Sequence, residues 1–139
     1  MINKYTLDDL FVGMKYSLNK NITKNLIDGF SSLTGDEHPL HKDQNYAIKH
    51  DFDDIIAQGF LLSSFISFVV GMKMPGLNAL IVSQESKFLR PVYINREIFI
   101  ECEITKIDTR FSLITIVYNI KDKEGTKLVT GNVLVKVRS

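Results

Sequence analysis

Residues 55–74 read IIAQGFLLSSFISFVVGMKM, and the disposition of this stretch decides the architecture of the chain. Its most apolar part, FLLSSFISFVVGM (60–72), falls short of the roughly 18 residues of a spanning helix and carries Ser63, Ser64 and Ser67. A segment apolar on most sides, yet too short for a bilayer, reads as a helix buried inside a domain. Asp53 and Asp54 precede it and Pro75-Gly76 follow it, so the pattern predicts a helix over 55–74. A buried helix needs other elements to wrap it, and the flanking sequence supplies them.

Downstream of Leu77 the pattern changes to alternation rich in β-branched residues. NALIVSQESKFL (78–89), EIFIECEITKID (97–108), FSLITIVYNIKD (111–122) and KLVTGNVLVKVR (127–138) read as strands. In EIFIECEI, Ile98, Ile100, Cys102 and Ile104 share one face and Glu101 and Glu103 the other. KDKEGT (121–126) is a hairpin turn, and short connections imply antiparallel neighbours. Upstream, KYSLNKNI (15–22) alternates as a strand. Thr23 then stands as an N-cap before KNLIDGFSSL, where Leu26, Ile27, Phe30 and Leu33 recur at helical spacing, and Gly35 closes that helix. A short helix follows at 43–49, capped by Asp43.

The sum is an α+β fold: one domain over 1–139, with an antiparallel sheet of about five strands around a long central apolar helix. Such a sheet leaves a free edge, which pairing with a second copy relieves, so a homodimer is expected. The composition fits an ordinary globular chain. Of its 139 residues 45% are hydrophobic and 24% charged, and the formal net charge is +1. Near-neutral charge without a Lys/Arg block argues against a nucleic-acid partner. The single cysteine, Cys102, excludes an internal disulfide and fits a reducing cytoplasm. The acidic N-terminus MINKYTLDDLFVG reads as no signal peptide, and no segment reads as a membrane span.

Between the two main helices lies TGDEHPLH (34–41). Pro39 forbids a resumed helix, so 35–42 is a loop that can bring Asp36 and His41 to one point. A carboxylate and an imidazole so placed can hold a water and exchange protons with it near neutral pH. Spacing alone leaves this open beside a turn-capping Asp with a surface His, and beside a metal site of Asp36, His38 and His41. Gly59 adds a second feature. First-turn N–H groups of a helix lack internal partners, and a glycine there admits a substrate oxygen close to the backbone, as in an oxyanion hole. Packing of helix on sheet is the other use of such a glycine.

Taken in order, TGDEHPLH, NYAIKHDFDDIIAQGFLLSSFIS and KFLRPVYINREIFIECEI resemble the MaoC-like (R)-specific enoyl-CoA hydratases of the hot-dog fold. The resemblance spans about residues 15 to 138 and is most specific between 35 and 92. It implies a homodimer, or a higher oligomer of dimers, that hydrates a trans-2-enoyl thioester of CoA or of an acyl-carrier protein. It implies no cofactor and no metal. Asp36 and His41 match the family's catalytic pair, and Gly59 the glycine whose N–H polarises the thioester carbonyl. His38, Tyr46, Phe52, Gln58, Ser64 and Ser67 match positions that shape or line the substrate site. Three departures from the family pattern stand out: His38 replaces a bracing Asn, Gln58 a His, and Asn95-Arg96 a Gly-Asp turn. Two other functions remain compatible with the same fold, a non-catalytic acyl-thioester-binding module and a thioesterase.

Overall fold

In the computed structural model, which describes residues 1–139, strand β1 (Lys15–Asn21) leads into helix α1 (Lys24–Thr34). The junction is fixed by the cap the sequence carries: Thr23 Oγ1 accepts the Leu26 N–H at 3.3 Å. Gly35 ends α1 in the left-handed region at φ 82°, where a side chain is disfavoured. A single tight turn, Pro39–His41, precedes helix α2 (Gln44–Lys49), whose cap Asp43 accepts the Tyr46 N–H. Helix α3 (Gly59–Phe68) continues as a wider turn over Val69–Lys73. Strands β2 (Ala79–Phe88), β3 (Glu97–Asp108), β4 (Leu113–Lys121) and β5 (Lys127–Val137) complete the chain.

All five strands form one antiparallel sheet in the order β1-β3-β4-β5-β2. Along β3 the alternation is as read: Ile98, Ile100, Cys102 and Ile104 are buried while Glu101 is exposed. Ile114, Ile116, Tyr118 and Ile120 of β4 and Val133, Val135 and Val137 of β5 extend the same buried face. Against it pack Leu61, Leu62, Ile66, Val69 and Val70 from α3 and the turn after it. Full burial of each such aliphatic side chain contributes about 1.5–3 kcal/mol before chain entropy is counted, so the helix–sheet seam holds the fold together. No helix is long and apolar enough to cross a membrane.

Two expectations are corrected. The central helix begins at Gly59, not at Ile55. Residues 55–58 are extended instead, because Ile56 bridges Tyr93 and the Ala57 N–H donates to the Val92 carbonyl at 2.8 Å. The helix is also less enclosed than its composition suggests, since Phe60 and Phe68 are exposed. The second correction concerns neighbours. β3, β4 and β5 are sequential, but β2 pairs with β5 across the sheet from β3, while β1 takes the place beside β3. The connection Leu89–Arg96 therefore crosses the end of the sheet, and that crossing builds the site.

Burial of Cys102 on the core face pushes its thiol up to about 12. The thiolate is the reactive form, so iodoacetamide at about pH 8 is expected to leave Cys102 unmodified in the native protein. Modification should appear by mass spectrometry only after unfolding. Labelling of the native chain at the rate of a free thiol would contradict this burial.

Candidate active site

The loop between α1 and α2 is held by a relay of short-range hydrogen bonds. Thr34 Oγ1 donates to the Phe30 carbonyl and accepts the Asp36 N–H at 3.2 Å. Asp36 Oδ1 accepts the His38 N–H at 3.2 Å, and His38 Nδ1 accepts the Leu40 N–H at 3.1 Å, capping the Pro39–His41 turn. His38 thus performs with its ring nitrogen the capping that an Asn oxygen performs in other loops. An ion-pair tether adds to the relay: Lys42 reaches Asp28 of α1 at 3.2 Å and Glu37 at 3.4 Å. Hydrogen bonds from Lys24 first and Lys42 second hold the Asp28 carboxyl below the usual carboxylate range, and Asp28 in turn raises Lys42.

This scaffold aims two groups at each other. His41 Nδ1–H donates to the Ile56 carbonyl at 2.7 Å, which fixes the ring and leaves Nε2 as the acceptor nitrogen. Nε2 stands 3.9 Å from Asp36 Oδ2, too far for a hydrogen bond but the spacing that one water oxygen bridges. The His41 side chain is 14% exposed and that of Asp36 41%, so the pair sits at a groove mouth with the imidazole inward.

Gly59 faces the same groove. It is the first residue of α3, and its N–H makes no hydrogen bond within the chain, as expected of a first-turn donor at the positive end of the helix dipole. A Cβ at this position would lie 3.0 Å from the Phe88 ring, so glycine leaves open the space between helix and strand. The groove has a volume of about 490 Å3; Phe30, Phe60, Leu62, Phe88, Leu89 and Pro91 form its apolar wall. Asp36, His41 and Gly59 all line it.

The remaining sequence candidates are distributed differently. Gln58 is buried at the groove's floor, but its Nε2 donates to the Ile27 carbonyl and to Ser31 Oγ, both at 3.0 Å. It clamps α1 to the start of α3, and its buried Oε1 has no partner in the chain. His38 and Tyr46 meet edge to face, with Tyr46 stacked on His50 at 4.0 Å outside the groove. Phe52 is half-buried behind α2, where its N–H donates to the Ala47 carbonyl. Ser64 donates to the Leu61 carbonyl of its own helix, and Ser64 and Ser67 line a smaller depression on the far side of Phe60. Asp36, His38 and His41 do not converge as metal ligands, and no cluster of three such side chains forms. Sequence reasoning missed the Ile56 carbonyl and the Asp28–Lys42 tether. The first carries no side-chain signal and the second joins residues 14 apart.

Comparison with known proteins shows what the chain as a whole is similar to. The profile described as "MaoC like domain" matches residues 12–131. The (R)-specific enoyl-CoA hydratase of Aeromonas caviae is 31% identical over 128 residues, which is 92% of this chain and 96% of that protein. The 3-hydroxybutyryl-CoA dehydratase of Methylorubrum extorquens is 30% identical over 132 residues, 94% of this chain and 82% of that protein. The solved structure of the A. caviae (R)-hydratase superposes with a TM-score of 0.89, covering 92% of this chain and 97% of that one.

Proposed function

This chain belongs to the MaoC-like domain family and has its hot-dog fold, and on that premise we propose that it reversibly hydrates a trans-2-enoyl thioester to the (R)-3-hydroxyacyl thioester. The observation that carries the mechanism is the 3.9 Å gap between His41 Nε2 and Asp36 Oδ2, opening on the same groove as the unpaired Gly59 N–H.

A water bridging the two side chains donates to both. As its oxygen attacks C3, one water proton passes to the dyad, and the C2=C3 π pair moves toward the thioester carbonyl. The carbonyl oxygen, now carrying negative charge, accepts from the Gly59 N–H, a donor fixed in advance by the helix. The enolate-like species then collapses, C2 takes a proton from the dyad, and one water has been added in total. The reverse sequence is dehydration. The chain's own residues supply every step, and the apolar wall excludes bulk water from the acyl side.

The test is the loss of enoyl-thioester absorbance with crotonyl-CoA, together with chiral analysis of the product and a thiol reagent to catch free CoA. Hydration to the (R)-alcohol without thiol release is the expected result. Thiol release would instead make the protein a thioesterase, and inertness toward every acyl length would leave a binding module.

We also infer a homodimer formed through β2. That strand is a sheet edge, and Leu80, Ile81 and Val82 are exposed in succession, beside the exposed Phe60 and Phe88. An edge so long and so apolar is a template for strand pairing. The opposite edge, β1, is blunted by Lys15 and Lys20. Light scattering is expected to give twice the chain's mass, and Ile81→Lys to shift the protein toward monomer; a monomeric parent would overturn this. A cytoplasmic setting belongs to the same proposal and rests on the single thiol, which needs no oxidising compartment.

A further inference from the structure

Two histidines serve the loop between α1 and α2, and a proton affects them differently. His41 donates its Nδ1–H to the Ile56 carbonyl, a bond that both the neutral and the charged imidazole can make. His38 is the reverse case. Its Nδ1 accepts the Leu40 N–H at 3.1 Å, so the neutral ring carries its proton on Nε2, and a ring protonated on both nitrogens can no longer accept. An Asn in that place, the residue of the family pattern, would accept through its amide oxygen at every pH. His38 also stands at the centre of the dyad's support. Its backbone N–H donates to Asp36 Oδ1 at 3.2 Å, its carbonyl accepts the His41 N–H at 2.9 Å, and its ring caps the turn that carries His41. One residue therefore touches both members of the dyad.

The His38 residue is exposed, so protons reach it from solvent. Its ring faces His41, with ring centres 5.9 Å apart, and Tyr46 of α2, edge to face at 6.2 Å, with His50 stacked behind that tyrosine. Asp36 lies beside it on the loop, and its chain neighbour Glu37 is paired with Lys42, which also reaches Asp28 of α1. Arg90 lines the groove that Asp36 and His41 share. The other links of the relay use hydroxyl, backbone and carboxylate groups. Histidine is the class whose ordinary titration falls between about pH 5 and 8, so the His38 cap is the link that changes there. We infer that His38 is a positioning residue for the dyad and makes the order of its loop depend on protonation. Neutral, it holds Asp36 and His41 at the spacing that one water bridges; protonated, it releases the Leu40 N–H and loosens the turn. The effect on rate rests on the hydratase reading, while the response of the loop to pH does not. The sign follows from the acceptor: the cap is present above the ring's titration and is lost as pH falls through it. In the same range a proton on His41 Nε2 removes the acceptor that the water needs. Two protonations then act on one rate, and the acid side of the profile is steeper than His41 alone would make it.

The experiment measures kcat/KM for crotonyl-CoA from about pH 8 down to about pH 5.5 in wild type, His38→Asn and His38→Ala, each relative to its own rate at the upper end. Losing an N-cap acceptor lowers local order by a factor of about five, so the wild-type ratio is expected to fall about fivefold further than that of His38→Asn. His38→Ala lacks the acceptor at every pH. Its kcat is therefore expected to lie below that of His38→Asn throughout, while its profile follows the same shallower course. A merely structural role would move the rates but leave the three relative profiles superimposed, and that outcome overturns the inference. Nuclear magnetic resonance tests the loop without turnover, in a His41→Asn background that removes the imidazole next to Leu40. The Leu40 amide shift is expected to follow the titration of the His38 ring and to stay flat in His38→Asn/His41→Asn. A Leu40 amide that ignores that titration overturns the inference whatever the enzyme does. One that follows it in a protein that hydrates no thioester keeps the titrating cap and counts against the hydratase reading alone.

Discussion

Replacing His41 by Ala is expected to lower kcat/KM for crotonyl-CoA hydration by about 10²–10⁴-fold, and Asp36→Asn by a similar factor. The two variants remove different things. Asp36→Asn keeps an oxygen for the His38 N–H, so the loop relay survives and the loss reports on the carboxylate charge beside the water. His41→Ala removes both the acceptor nitrogen and the bond to the Ile56 carbonyl. His41→Asn is the control, because its amide can still donate to that carbonyl while offering nothing at the Nε2 position. If His41→Asn falls as far as His41→Ala, the proton-transfer role carries the effect and not the anchoring. If the pair acts on one water, as proposed, the double variant should be little slower than the slower single variant. Rates within about twofold of wild type in all three, with folding confirmed by circular dichroism, would remove the dyad from the mechanism.

Much of this site was legible because its parts are local. Thr23, Gly35 and Asp43 announce helix ends through chemistry that acts over two to four residues, and each performs in the structure the cap it announces. The alternation of β3 likewise fixed its bounds, since one face must meet the core. What failed was non-local. Whether Ile55–Ala57 joins the helix or runs extended depends on a bridge to Tyr93, a segment nearly forty residues away, and an apolar run is compatible with both. The place of β2 beside β5 depends on how the sheet closes over α3, which no turn signal records. Asp36 and His41 could be named from the loop, whereas the group that orients His41 is a backbone carbonyl contributed by the misread segment.

Gly131→Ala is expected to cost about 3 kcal/mol of stability, near the upper end for an overpacked core, as read from urea unfolding. The glycine is not there for its conformational freedom. In β5 it pairs with Tyr118 of β4 on one side and Ser86 of β2 on the other. The buried Tyr118 ring crosses over it, and its hydroxyl hydrogen-bonds to Ser86 Oγ on the far strand. A Cβ at 131 would stand 2.2 Å from the Glu85 carbonyl oxygen and 2.5 Å from the Tyr118 ring and hydroxyl. One missing methyl therefore lets a single aromatic side chain tie three strands together. The tie continues to the site, because Ser86 also meets Ser63 of α3 at 3.0 Å, one turn beyond Gly59. In a Tyr118→Val background the cost of Gly131→Ala should shrink, since the ring is gone, but not vanish, since the Glu85 carbonyl cannot move without breaking the β2–β5 ladder. Additive costs in that cycle would show that the ring and the glycine are independent. A stability change for Gly131→Ala below about 0.5 kcal/mol would show that the sheet relaxes around the new methyl. If the coupling holds, the strand carrying Phe88 and the helix carrying Gly59 are positioned by one buried tyrosine, and loosening it should disturb the groove before it unfolds the chain.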